Sequence, residues 1–343
     1  MHYAISVFLV GFVLQAAAQN AAELSLQGQA KAQTKQLEEA ERLWKEAVSL
    51  SPRYFPALFN LGYLYFTQQK FTEAEPLLRS AAQNNERDFN SRYLLGLTLA
   101  RLDRREDALL AWREALRLEP KNLRLLQIMS VEYSKGRYFS EAAQLAKEAL
   151  DLEGGDQNLY FLCIKAFQDA GDLESATAIA RRAVLRFPES ARANFEYGFQ
   201  LQHEGKLPEA LSYLTMAMKA DPAYEEPFFF YGSLLLDQGQ GEEAIPYLRT
   251  ALRNRSDYVP AKIALARALI SLQRWQEAIS ELNGILEKDP DQPQPHLLLS
   301  QVYFRLGDEA KAKAEQRASL QLRRQRPALL EGIQSRPFPG LKR

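Results

Sequence analysis

Cysteine is nearly absent from this 343-residue chain: Cys163 stands alone, so no internal disulfide can form. Histidine is almost as scarce. His2, His203 and His296 are far apart and lack partners at metal-ligand spacing, so no metal site is expected. No glycine-rich phosphate loop, nucleophile elbow or paired-histidine helix occurs, which leaves catalysis without a home and calls for no cofactor. Net charge is missing too. Lys plus Arg number 43 and Asp plus Glu 43, interspersed along the chain, whereas a nucleic-acid binder would carry a basic face. The apolar run from Ala4 to Leu14 is too short to span a bilayer as a stable helix.

What the chain has instead is a period. Ala40, Ala74, Ala108, Ala142, Ala176, Ala210, Ala244, Ala278 and Ala312 stand 34 residues apart without insertion or deletion. Twelve residues before them come Gly28, Gly62, Gly96, Ser130, Ile164, Gly198, Gly232, Ala266 and Ser300. Four residues after them come Trp44, Leu78, Trp112, Ala146, Ala180, Leu214, Leu248, Leu282 and Gln316. One structural unit has been copied in tandem. The columns predict two antiparallel helices per unit, with small residues allowing close approach and large ones filling the holes between. Pro52, Pro120, Pro188, Pro222 and Pro290 stop the second helix in five units.

Local signals divide each unit the same way. Gly171, Gly205, Gly239 and Gly307 fall five residues before their alanines, where a first helix is expected to end in a left-handed residue. Glu39, Glu73, Asp107, Glu141, Glu209, Glu243 and Glu277 precede the alanines directly, in the first turn of the second helix, where the macrodipole favours an acid. Ser175 and Lys311 depart from that column, and Lys311 marks the last unit as a cap. Cys163 shares a core column with Leu61, Leu95, Met129, Leu265 and Leu299. Trp44, Trp112 and Trp275 sit in columns of large residues and are expected to fill the core.

These columns resemble the tetratricopeptide repeat family, most closely over Asn60 to Ala81, Tyr93 to Pro120 and Tyr197 to Pro222. Leu24 and Gln316 depart from its pattern in the first and last units. The resemblance implies an all-α fold, an α-solenoid forming a right-handed superhelix of about nine repeats. It implies a non-catalytic scaffold for protein–protein interaction, with a peptide or helix bound in a groove lined by the first helices. The family's clamp for a C-terminal carboxylate needs lysine at position 5 and asparagine at position 9 of one unit. No unit here has that pair.

Three segments are expected. Residues 1–18 have the form of a signal peptide, with Ala16, Ala17 and Ala18 after the apolar run as a cleavage site, although Met1, His2 and Tyr3 supply no lysine or arginine. Cleavage there leaves no membrane span in the mature chain and points to export, plausibly to a bacterial periplasm for envelope or secretion assembly. The alternative is a cytosolic adaptor or regulator with an uncleaved start. Residues 19–320 form the array. Residues 321–343 form a basic tail, with Arg323, Arg324, Arg326, Arg336, Lys342 and Arg343 against Glu331, expected to be disordered after Pro327.

The groove positions of the resemblance are 2, 5, 9, 12 and 13 of each unit. Aromatic residues recur there at Phe59, Tyr63, Tyr93, Phe161, Phe195, Phe199 and Phe229, with Arg124, Lys165 and Arg192 as cations that would fix the direction of a bound segment. Packing explains an aromatic at position 5 as well as binding does. Asp169, Glu196, Glu226 and Asp237 lie mostly toward the C-terminus, so the acidic portion of a ligand is expected near the middle units. The partner is a protein or peptide, and the residues do not name it.

Overall fold

The computed structural model describes residues 2–153 and 155–325, and every regular element among them is helical. The chain is an all-α solenoid of helix pairs, divided between Glu153 and Gly154 into two compact units. The first holds α1 (His2–Gln33), α2 (Leu37–Leu50), α3 (Phe55–Thr67), α4 (Phe71–Asn84), α5 (Phe89–Arg101), α6 (Arg105–Leu118), α7 (Leu123–Lys135) and α8 (Phe139–Leu152). The second begins with α9 (Gln157–Asp169), α10 (Leu173–Arg186), α11 (Ala191–His203), α12 (Leu207–Ala220) and α13 (Glu225–Asp237). It continues with α14 (Gly241–Asn254), α15 (Val259–Ser271), α16 (Trp275–Leu286), α17 (Pro293–Arg305) and α18 (Glu309–Gln325). The five column prolines all fall between helices.

Each pair is joined by the same turn. Left-handed backbone recurs at Lys35, Gln69, Asp103, Arg137, Gly171, Gly205, Gly239, Gln273 and Gly307, once per 34 residues. The residue after each donates its N–H back to a carbonyl in the last turn of the first helix, as in Lys70 to Tyr65 at 2.8 Å and Lys206 to Leu201 at 2.9 Å. This six-to-one bond satisfies a carbonyl that the helix end would otherwise orphan. It holds the turn whether or not glycine occupies it. An acid stands in the first turn of the second helix throughout; where Ser175 breaks the column, Glu174 supplies it.

Packing follows the small and large columns. Of the nine alanines the first eight are fully buried. A Cβ at Gly96 would lie 2.3 Å from Trp112 Nε1, and one at Gly62 2.9 Å from Leu78 Cγ, so each glycine is the hole that its large partner fills. The two indoles are fixed polar as well as apolar: Trp44 Nε1 donates to Ser25 O at 3.1 Å and Trp112 Nε1 to Tyr93 O at 3.0 Å. Cys163 is fully buried in its core column.

The ends depart from the period. Residues 2–18 are helical and continuous with Gln19–Gln33 in α1. Among the described residues no helix is long and apolar enough to cross a membrane. At the other end Gln316 is exposed where Leu214, Leu248 and Leu282 are fully buried, so α18 turns a polar face outward. His296 closes this last pair, with Nδ1 2.6 Å from Glu315 Oε2 and Nε2 3.0 Å from Pro290 O. α18 runs to Gln325, so Arg323 and Arg324 of the basic segment are helical. The remainder of that segment, with Arg326, Arg336, Lys342 and Arg343, lies outside the described residues.

Candidate functional site

Positions 2, 5, 9, 12 and 13 fall on one side of a helix because they are separated by three or four residues or by a single step. In the first unit this face is aromatic and short of acid. Along α3 the rings of Phe55, Phe59 and Tyr63 stack, with centroids 5.9 Å and 6.4 Å apart. Phe59 is half-buried, whereas Tyr63 keeps 50% of its surface exposed. On α5 the half-buried Tyr93 stacks on Phe89 at 5.5 Å. Its hydroxyl is buried without a hydrogen-bond partner. Arg101 in the last turn of α5 and Arg124 in the first turn of α7 are exposed and form no ion pair among the described residues, whereas Lys135 is held by Glu132 at 2.6 Å.

The second unit uses the same positions differently. Phe161 is buried, with the Arg192 guanidinium 4.2 Å above its ring centroid. Phe195 is also buried, among Tyr224 at 5.4 Å, Phe230 at 5.3 Å and Phe199 at 6.2 Å. Phe229 is half-buried and meets Phe230 at 5.0 Å and Tyr258 at 5.1 Å. Phe161 and Phe195 are therefore not an open groove wall. Neighbouring side chains close over them, and they act as packing between repeats.

The expected direction-setting cations of this unit each lie near an acid. Lys165 pairs with Asp169, and Arg192 Nε lies 3.7 Å from Glu196 Oε1. Arg267 and Asp237 are likewise 3.7 Å apart. Burial pushes the Glu196 carboxyl above its ordinary range; Arg192 opposes that shift and the charge of Glu226 adds to it. Tyr224 is also pushed up, first by burial and then by its bond to Glu226. The sequence pointed to Phe199 and Phe229 but not to Tyr224, Phe230 and Tyr258, which complete this aromatic layer. Tyr54, Tyr224 and Tyr258 stand in one repeat column, a signal that was available.

Two other features bear on chemistry. An open cavity of about 880 Å³ near the end of the second unit is bordered by Trp275, Phe304, Arg305 and Gln316. Trp275 is half-buried, packing against the core around Leu265, Leu269 and Ala278 while bordering this cavity. Among the described residues no group of three or more His, Cys, Asp or Glu is placed to hold a metal.

Patterns described as Tetratricopeptide repeat match residues 25–89 and 164–225, residues 235–302, and residues 293–326, together more than half of the chain. No curated protein matches the sequence. Among solved structures the chain is similar to the APC/C hetero-tetramer Cut9-Hcn1, with TM-score 0.55 and 15% identity over 87% of this chain and 59% of that one. It is similar to Naa15/Naa10 bound to HypK-THB, with TM-score 0.52 and 14% identity over 90% of this chain and 64% of that one. Pseudomonas aeruginosa pilF gives TM-score 0.51 and 18% identity over 60% of this chain and 92% of that one. At these identities the likenesses show the fold alone. The alanine column, the recurring left-handed turn and the matched patterns agree, and the chain belongs to the tetratricopeptide repeat family, as a member with many repeats.

Proposed function

We propose that this protein is a non-catalytic scaffold that holds a peptide or helix of a partner protein on its first-helix faces. The fold is one typical of protein–protein interaction. The observation that carries the reading is the stacked Phe55, Phe59 and Tyr63 ladder, whose last ring is left half exposed. A stacked tyrosine offers large contact area at little entropic cost, the usual composition of a binding anchor. A photo-crosslinking amino acid at position 63 should capture a partner in the native cell. Capture from Met216, exposed on the second helix α12, and none from position 63 would overturn the reading.

The site of action under this proposal is the bacterial periplasm, in envelope or secretion assembly, after cleavage behind Ala18. Ala16 and Ala18 are exposed on α1, and Ala21 is the first buried residue of the array. Mature protein should begin at Gln19, and Ala18→Phe should leave the precursor uncut. A cytosolic adaptor is the second reading, favoured by the unbroken course of α1 from His2 to Gln33. N-terminal sequencing that finds Met1 or His2 on the native protein selects it.

A further inference from the structure

The first-helix face of the first unit carries cations but no acid at its groove positions. On α3 these positions hold Pro56, Phe59, Tyr63, Phe66 and Thr67; on α5 and α7 the only charges are Arg101, Arg124 and Lys135. Lys135 is answered by Glu132. Among the described residues no carboxylate pairs with Arg101 or Arg124, and both are exposed. In the second unit the same positions hold Asp169, Glu226 and Asp237, and Lys165, Arg192 and Arg267 each meet a carboxylate; Arg305, at the end of α17, is exposed and has no ion pair among the described residues.

From this contrast we infer that the first unit's face binds an acidic peptide segment with an aromatic or large aliphatic anchor. The inference rests on the scaffold reading and adds the chemistry of the partner. The anchor packs on the Phe59–Tyr63 ladder. Carboxylates of the segment meet Arg101 and Arg124, whose guanidinium groups present paired donors that suit a carboxylate's two oxygens. Arg101 ends α5 and Arg124 begins α7, so the two guanidinium groups stand at opposite ends of neighbouring first helices. Single-stranded nucleic acid fits less well. It brings a phosphate at every nucleotide, against two unanswered cations on a chain of zero net charge.

Selection of displayed random twelve-residue peptides on the full chain tests this, in parallel with the Arg101→Glu, Arg124→Glu double variant and with Arg267→Gln on the second unit. Thermal melting first verifies that each variant is folded. Wild type and Arg267→Gln should enrich peptides rich in Asp and Glu around a Trp, Phe or Leu; the double variant should lose that enrichment. A fluorescein-labelled copy of the most enriched peptide should bind the double variant and Tyr63→Ala at least tenfold more weakly than wild type, and a twelve-base single-stranded DNA should not displace it. Enrichment of neutral or basic peptides overturns the inference and leaves the scaffold reading standing. Recovery of no peptide overturns both. Displacement by the DNA, or self-association of the chain abolished by the double variant, assigns the face to another occupant and overturns the inference.

Discussion

The two units put one repeat pattern to different uses. In the second, the groove cations Lys165, Arg192 and Arg267 lie against carboxylates, although Arg305 does not, and Phe161 and Phe195 lie beneath other side chains. In the first, Tyr63 is half exposed, and Arg101 and Arg124 have no ion-pair partner among the described residues. Surface ion pairs add little to stability, so the pairing in the second unit does not serve mainly to hold it together. It cancels a field that a partner could otherwise feel. The turns differ as well. Four of the five turns in the second unit place glycine at the left-handed residue, whereas the first unit places Lys35, Gln69, Asp103 and Arg137 there. The unit with the open face also carries more of this backbone strain, the second holding only Gln273 as a left-handed non-glycine residue.

The largest expected effect sets buried against exposed rings. Phe195→Ala should destabilise by about 3–5 kcal/mol, the range for a large core truncation. Tyr63→Ala should cost less than about 1 kcal/mol, as a surface change does. Urea denaturation compares them, and equal losses would erase the distinction between the faces.

Next come the small-residue columns. Gly96→Ala should cost about 1–3 kcal/mol, because the added methyl meets the rigid, hydrogen-bonded Trp112. Gly198→Ala should cost less, since its nearest neighbour, Ala210 O, is 3.2 Å from the added carbon. The reverse order in thermal melts would show that the first unit can repack around its indoles.

Turn substitutions should be smaller and of opposite sign in the two units. Gly205→Ala forces a side chain into left-handed backbone and should cost about 1–2 kcal/mol. Gln69→Gly relieves that strain but adds freedom to the unfolded chain, for a net gain of about 0.5 kcal/mol. A loss at Gln69 would mean that its side chain holds the turn.

A gain of about 1 kcal/mol is expected from Gln200→Leu. Both amide atoms of Gln200 are buried without partners, and leucine occupies the matching positions 64 and 234. Loss of stability would reveal a bridging water or a missing partner in that interface.

The smallest effect is a pH dependence peculiar to the second unit. Glu196 binds its proton more tightly folded than unfolded, so its stabilising contribution is complete below the ordinary glutamate range. That contribution is lost as pH rises through the raised folded value. Against Glu196→Gln, the wild type should therefore lose relative stability over that window and then level off. A constant difference from mildly acid to neutral pH would mean that Glu196 is not buried in solution.

Much of this architecture was legible, because steric rules repeat with the sequence. The alanine column, the glycine holes and the proline stops follow from chain geometry alone. The left-handed turn was readable at Gly171 and Gly205 but not at Gln69 or Arg137, where the returning hydrogen bond sustains it. The faces were harder. Whether Phe161 or Phe195 is open depends on Arg192, Tyr224 and Phe230 in the neighbouring repeat, and a single repeat's register cannot weigh those contacts. The pairing of Lys165 with Asp169 and of Arg192 with Glu196, each one turn along its own helix, was visible as spacing. Only the coordinates show that these cations are spent on those acids.

The tryptophans make the two units separately observable. Trp44 and Trp112 are buried, hydrogen-bonded indoles of the first unit, and Trp275 is a half-buried indole of the second. With selective tryptophan excitation, Trp275→Phe would leave a chain whose emission reports only residues 1–153, and the double Trp44→Phe, Trp112→Phe variant would report only the rest. Emission followed through a denaturant titration would then tell which unit lets go first, and whether a bound ligand steadies one of them or both. Each half of this chain is built around its own lamp.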